Sequence, residues 1–367
     1  MKTSRSKHDP DYILIFTVFF LMLLGLVALS SASSEIGKSR FNDTYFYLKH
    51  QFVYGVLAGL LGFFIAYNFS LIHMRRLSVF LLLLTVVALV MVFTPLGFSS
   101  GGADRWLRVG GMTIQPSEIL KLTFILYLAT WLAADVRKRV NFIDGFIPFL
   151  FVCGMVAALL LLQPTTSTAV IILFAGLVMY FVSGGRLSFV GLAVLIGFMG
   201  LILVIYLTPY RLERVMSYFD PQRDMQGSGF QRNQALIALG SGGVFGVGYG
   251  DSISKFHYLP EPISDSIFAV IGEEFGFVGS VVIISVLLLL IFRAFRIAER
   301  APDLFTKLLV TGIASMVAAQ SFTNISAISG LLPLTGVPLP FISYGGTALA
   351  VLLTSMGIIA NVSRYAR

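Results

Sequence analysis

Apolar runs about as long as a bilayer is thick recur ten times along this chain. They cover 12–31, 52–69, 77–93, 114–134, 146–162, 168–182, 189–207, 266–292, 304–327 and 340–362. A helix needs roughly 20 predominantly apolar residues to cross a hydrocarbon core. The chain therefore reads as an all-α polytopic membrane protein of about ten transmembrane helices, one domain over 1–367. Composition agrees, because only 12% of the residues are charged against roughly 25% in a soluble domain. The single cysteine, Cys153, excludes disulfides within the chain and a cysteine metal site. His8, His50, His73 and His257 are scattered and form no HxxH or HExxH pattern.

The first run is followed by SSASS, which looks like a signal-peptidase site. The run is longer than a typical h-region of about 7–15 residues, so an uncleaved first helix is expected. An even number of spans places both termini on one side. The pairs and clusters Arg75–Arg76, 137–139 (RKR) and Arg293, Arg296, Arg300 and Lys307 fall on that side, with Lys2, Arg5, Lys7, Arg364 and Arg367. Fifteen positive charges lie there and ten on the other side, with Lys121 inside a span. By the positive-inside rule the N- and C-termini are expected to be cytoplasmic. Much of the formal net charge of +8 is explained the same way and does not point to nucleic acid. One long loop remains, about 208–265, between the seventh and eighth spans. It carries aromatics, glycines and Arg223 among five positive charges. We expect an ordered extracytoplasmic element, able to dip into the membrane, because structureless loops longer than about 12–15 residues are usually functional or disordered.

Five clusters could carry chemistry. In ADRWLRVGGMTIQPSEILK (103–121), Arg105 and Trp106 sit in an outward loop, and Glu118 and Lys121 are i,i+3 on one helix face. That pair either fixes helix packing or lines a polar groove. In YRLERVMSYFDP (210–221), Arg211 and Arg214 either face phosphates with their donor forks or snorkel to the headgroups. The glycine-rich 240–250 lacks the GK[ST] of a nucleotide loop, so its glycines more simply allow a tight backbone path near a ligand or helix. In YLPEPISDSIFAVIGEEFG (258–276), Asp265 stands where a polar loop becomes an apolar helix. It is either a capping acid in the first turn, with Ser264 as N-cap, or a general base or cation ligand. The three carboxylates, Asp265, Glu273 and Glu274, do not share one helix face at about 100° per residue, so Glu273 or Glu274 reads as a buried packing or polar-network residue. Finally, 324–347 is broken by Pro333, Pro338 and Pro340 before Ser343, Tyr344 and two glycines enter the last span. Such irregular backbone at membrane depth must be buried in protein or line a cavity.

In this order the clusters resemble the SEDS family of bacterial cell-wall proteins, FtsW and RodA. The matching pieces are RW at 105–106, QPSExxK at 115–121, RxxR from Arg211, the glycine cluster, YLPE at 258–261, DxIFAVIGEExG from Asp265 and GLLPLTGVPLPFISYGG at 330–346. The final NVSR (361–364) and the loop wording are closer to FtsW, the division member. Two departures stand out. ISDSIF (263–268) keeps the acid of the family's HTDFIF but not its histidine. QPTTST (163–168) has Thr165 where the family's PDxGT carries an acid.

The resemblance implies a peptidoglycan glycosyltransferase in the bacterial cytoplasmic membrane, acting on its extracytoplasmic side in cell division. Lipid II, a disaccharide-pentapeptide on undecaprenyl pyrophosphate, would be polymerised with release of the lipid pyrophosphate. It implies Asp265 as the catalytic residue, and Arg105, Trp106, Glu118, Lys121, Arg211, Arg214, Lys255, Ser343 and Tyr344 as substrate-binding residues. A divalent cation, Mg²⁺ or Mn²⁺, is the cofactor it allows, without a metal site complete in the sequence and without a nucleotide. The partners implied are a class B penicillin-binding protein transpeptidase and other divisome membrane proteins. A lipid II flippase, a RodA-type elongation polymerase and a non-catalytic division scaffold are the competing expectations. A transporter would need its essential charges deep in the bundle.

Overall fold

A computed structural model describes residues 8–100, 103–109, 112–220, 227–256 and 258–366. Lys2, Arg5, Lys7, Arg223, His257 and Arg367 lie outside the described residues. The apolar runs are helices: α1 Tyr12–Ala32, α2 Phe46–Asn68, α3 Leu71–Met91, α4 Pro116–Ala134, α5 Phe142–Leu162, α6 Thr166–Val182 and α7 Leu187–Leu207. After the long loop come α10 Ile267–Glu299, α11 Leu304–Ile328 and α12 Gly346–Ser363. Among the described residues nine of these are long and apolar enough to cross a membrane, and α6, with 17 residues, is a shorter apolar helix. The chain is a multi-pass membrane protein. The last helix starts at Gly346 and not near 340, because the 329–345 segment stays irregular up to Gly345.

The segments between α3 and α4 and between α7 and α10 carry secondary structure of their own. The segment between α3 and α4 is not loop but a three-stranded antiparallel sheet, β1 Gly97–Ser100, β2 Ala103–Val109 and β3 Met112–Ile114. Leu107 pairs with Gly97 on one side and with Ile114 on the other. Strands of three to seven residues are too short to stand out in an apolar chain, but β-branched and aromatic residues suit them. The sheet is a small addition to an otherwise all-helical fold. The long loop contains two helices, α8 Pro209–Phe219 and α9 Ser228–Ser241. Pro209 occupies the first turn of α8, where its missing N–H removes nothing.

The helices fall into an interior and a rim. Most of α11 and α12 and much of α4 is buried, whereas α7 buries none of its residues. The first helix belongs to the packed bundle, with Leu14, Val18, Leu21 and Leu29 fully buried. Ser31, in the run that looks like a cleavage site, is buried as well.

The helix α10 is broken in its third turn, at Gly276, whose φ of 66° and ψ of −161° are non-helical. A break frees backbone groups that must be paired again at membrane depth. The glycine-rich segment pairs them. Val247 N and Gly248 N donate to the carbonyls of Glu273 and Glu274 at 3.0 and 3.1 Å, and Phe277 N and Val278 N donate to those of Gly243 and Val244 at 2.9 and 3.1 Å. A Cβ at Gly276 would lie 2.4 Å from the nitrogen of Gly246, so the two backbones approach as only glycine permits. The close partner of the 240–250 glycines is therefore a helix.

Candidate functional site

Asp265 lies just before α10. Ser266 is the N-cap and makes no side-chain cap bond, so neither Ser264 nor Asp265 caps the helix. The turn is tied instead through its backbone. Ser264 N and Ser266 N both donate to the carbonyl of Glu261 at 3.2 Å, with Glu261 in the left-handed region at φ 50°. Three further bonds fix it from outside. Ser343 Oγ donates to the carbonyl of Ser264 at 2.5 Å. Tyr344 N donates to that of Ile263 at 2.8 Å. Asn324 Nδ2 donates to that of Asp265 at 2.8 Å.

The carboxylate of Asp265 is far less well served than its backbone. Gln231 Nε2 is 3.5 Å from Oδ2 and Ser264 Oγ is 3.3 Å from Oδ1. That single hydroxyl proton also faces Glu261 Oε2, at the shorter distance of 2.8 Å. The left-handed Gly336 brings the 329–345 backbone alongside, where an added Cβ would stand 3.8 Å from Oδ2. Burial, and then the negative charge of Glu261, push the Asp265 carboxyl up to about 6, against weaker pulls from its own backbone, Ser264 and Gln231. A base works best when its pKa lies near the operating pH.

The arginines gather around carbonyls. Arg105 donates to the carbonyls of Gln163 and Pro164 at 3.2 and 2.9 Å. Arg211 donates to Thr208 Oγ1 at 3.0 Å and to the carbonyl of Leu161 at 3.2 Å. Arg214 reaches the carbonyl of Leu334 at 3.5 Å and lies over the ring of Tyr210 at 4.6 Å. Burial lowers the pKa of Arg105; Tyr210 counters this, and nearby Arg214 adds to it. Arg105 and Arg214 thus share one locality despite 109 positions of chain between them. Arg232, unassigned from sequence, joins them by donating to the carbonyls of Tyr218 and Gly330 at 2.9 and 3.3 Å. Trp106 is half-buried in β2, paired with Phe98.

Other expected binding residues hold the protein to itself. Glu118 and Lys121 form the i,i+3 pair at 2.7 Å, 4% and 3% exposed, and Lys121 Nζ also donates to Gln320 Oε1 at 2.9 Å. Lys255 is corrected as a ligand-facing residue. It is 3% exposed, and its ammonium is taken up by Glu274 Oε1 at 3.0 Å, Ser31 Oγ at 2.9 Å and the carbonyl of Gly250 at 2.6 Å. Ser343 and Tyr344 stand behind the Asp265 turn, and the Tyr344 hydroxyl meets His50 Nδ1 at 2.9 Å. Glu273 and Glu274 are both buried in a polar network, where one or the other was expected to be. Glu273 accepts from Ser252 Oγ at 2.5 Å and from Ile253 N at 3.1 Å, and Glu274 accepts from Ser31 Oγ at 2.5 Å. Sequence reasoning assigned no role to Glu261, Gln231, Gln320 or Asn324. The last two were visible as amides within an apolar run, which is reason to ask for a partner.

Among the described residues no three histidine, cysteine or carboxylate side chains are grouped to hold a metal ion. The fold and site together define a polytopic helical membrane protein with a sparsely hydrogen-bonded acid just before a helix and arginines on the small sheet and on the two short helices of the long loop. The chain belongs to the FtsW, RodA and SpoVE family, whose model, described as cell cycle protein, matches residues 12–367. It is 39% identical to the stage V sporulation protein E of Bacillus subtilis (strain 168), over 99% of this chain and 100% of that one. It is 37% identical to a probable peptidoglycan glycosyltransferase FtsW of Geobacter sp. (strain M18), over 99% of each. Among solved structures it is similar to a chain of a peptidoglycan synthase complex that coordinates polymerization and crosslinking, with a TM-score of 0.79 and 29% identity over 97% of this chain and 98% of that one. The rod shape determining protein RodA of Thermus thermophilus matches with a TM-score of 0.72 and 27% identity over 97% of each chain.

Proposed function

We propose that the chain is a peptidoglycan glycosyltransferase that polymerises lipid II at the extracytoplasmic face of the bacterial cytoplasmic membrane, as one domain with both termini cytoplasmic. The observation that carries the reading is Asp265: partly buried, next to Glu261, neither capping α10 nor paired with a lysine or arginine among the described residues. Its raised proton affinity suits a general base. The acceptor sugar's 4-hydroxyl gives its proton to Asp265 as its oxygen attacks the anomeric carbon of the donor. The bond from that carbon to the pyrophosphate oxygen breaks, and its electron pair leaves with the lipid pyrophosphate. Arg105, Arg211 and Arg214 supply positive charge for the leaving group, as electrostatic stabilisation requires. Mg²⁺ or Mn²⁺ would add charge there. With Asp265 and Glu261 as the neighbouring carboxylates among the described residues, most of its ligands would be phosphate oxygens and water, which is the habit of Mg²⁺. The activated donor makes a nucleotide unnecessary.

The relatives named FtsW support the division role, and the synthase complex supports a transpeptidase partner, a class B penicillin-binding protein, with other divisome proteins around it. A lipid II flippase would draw on the deep Glu118–Lys121 pair, but that pair is closed on itself and on Gln320. The test is to reconstitute the protein with its transpeptidase in vesicles, supply lipid II and Mg²⁺, and measure both glycan polymer on a gel and lipid II crossing the bilayer. We expect polymer. Transbilayer movement without polymer would overturn the proposal.

A further inference from the structure

Asn324 is 1% exposed, and its one amide nitrogen donates to two carbonyls, that of Asp265 at 2.8 Å and that of Val337 at 2.7 Å. It bridges the Asp265 turn to the 329–345 segment lying beside the carboxylate, at a point distinct from the Ser343 bond to Ser264. One turn earlier on the same face of α11, Gln320 is also 1% exposed and donates to the carbonyl of Pro338 at 2.9 Å. Its own oxygen accepts from Lys121 Nζ at 2.9 Å, and Lys121 is paired with Glu118 at 2.7 Å. Each contact follows from the spacing. Residues i and i+4 share a helix face, so Gln320 and Asn324 hold adjacent carbonyls, 338 and 337, of one extended segment. The buried ion pair of α4 is thereby connected, bond by bond, to the backbone of the acid.

We infer that Gln320 and Asn324 are positioning residues, which use the Glu118–Lys121 pair as an anchor to hold Asp265 and the 336–338 backbone in register. The inference rests on Asp265 being the base. It gives the intramembrane pair a task without a transport path or a contact to substrate. Buried polar groups earn a fixed geometry only when their partners are all present. Here Gln320 is satisfied at both ends, and Asn324 spends its amide nitrogen on two carbonyls while its buried Oδ1 has no hydrogen-bond partner among the described residues.

The test compares Asn324→Leu, Gln320→Ala and Gln320→Glu with wild type in polymerisation kinetics, with Asp265→Asn as the reference and thermal unfolding measured for each. Gln320→Glu keeps an acceptor for Lys121 but loses the donor to Pro338. Misplacing a reacting group by an ångström can cost about 10²-fold. We expect kcat to fall by about that factor in Asn324→Leu, and Gln320→Glu to lose as much as Gln320→Ala, while KM for lipid II stays near wild type. Wild-type kcat in Asn324→Leu, or in Gln320→Glu, overturns the inference. So does a loss confined to unfolding temperature, with the folded fraction turning over normally. Polymer from Asp265→Asn would instead overturn the parent reading, whatever the other variants do.

Discussion

Asp265 and the pair Glu273–Glu274 belong to one stretch of chain, eight residues apart, and the fold treats them in opposite ways. Glu273 takes a hydroxyl and backbone N–H groups, and Glu274 takes a lysine and a hydroxyl, all within a buried network. Asp265 takes one amide at 3.5 Å and a share of one hydroxyl, beside another carboxylate. Buried polar groups are normally satisfied, so the exceptions call for an explanation. The glutamates hold together α1, α10 and the glycine-rich segment. The aspartate is held by its backbone and left open at its carboxylate. Structure is built where partners are complete, and chemistry is available where they are withheld.

This contrast can be broken or sharpened by substitution. The largest expected effect on stability is from Lys255→Met, which leaves Glu274 buried with the Ser31 hydroxyl alone. Removing one partner of a buried pair costs about 3–5 kcal/mol, read by thermal unfolding in detergent or vesicles. Next is Gly276→Ala. Its Cβ would press on the Gly246 nitrogen at 2.4 Å with the backbone at φ 66°. The backbone strain alone costs about 1–3 kcal/mol, and the unfolding temperature should fall with it. Ser252→Ala removes one bond to Glu273 and should cost about 1.5–3 kcal/mol by the same measurement.

The smallest expected effect is on pH dependence. A base must be ionised to accept a proton, so polymerisation should rise with pH through about 6, where burial and Glu261 hold the Asp265 carboxyl. Glu261→Gln removes the neighbouring negative charge and makes ionisation easier. The acid limb of the rate profile should then move to lower pH, while unfolding temperature changes little. An unmoved limb would mean that Glu261 does not act on the titrating group.

Much of this contrast was legible in the sequence, and the remainder has definite reasons. The membrane bundle follows from ten apolar runs, and the Glu118–Lys121 pair from a spacing of three on a helix. Asp265 was marked by its place at a loop–helix junction, and Glu273 and Glu274 by their different helix faces. Lys255, which the resemblance implied as a substrate-binding residue, proved to be buried. Its burial depends on Ser31 from α1, 224 positions away, which no local pattern contains. The arginines were legible as a set, but their carbonyl partners at 161, 163, 164 and 334 carry no side-chain signature. The small sheet was missed because short strands leave little periodicity. Gln320 and Asn324 stood in plain view within an apolar helix, yet the segment they hold is irregular and has no pattern to align.

The most direct measurement is glycan polymer formed from lipid II by Asp265→Asn, set beside wild type and Glu273→Gln with the folded fraction of each determined. An amide keeps the shape and cannot take the proton, and general base catalysis contributes about 10²–10⁴-fold. The account predicts loss of at least about 10²-fold in Asp265→Asn with unfolding at the wild-type temperature, and in Glu273→Gln a lowered unfolding temperature with polymer still made by the folded protein. Polymer at the wild-type rate from Asp265→Asn would contradict it.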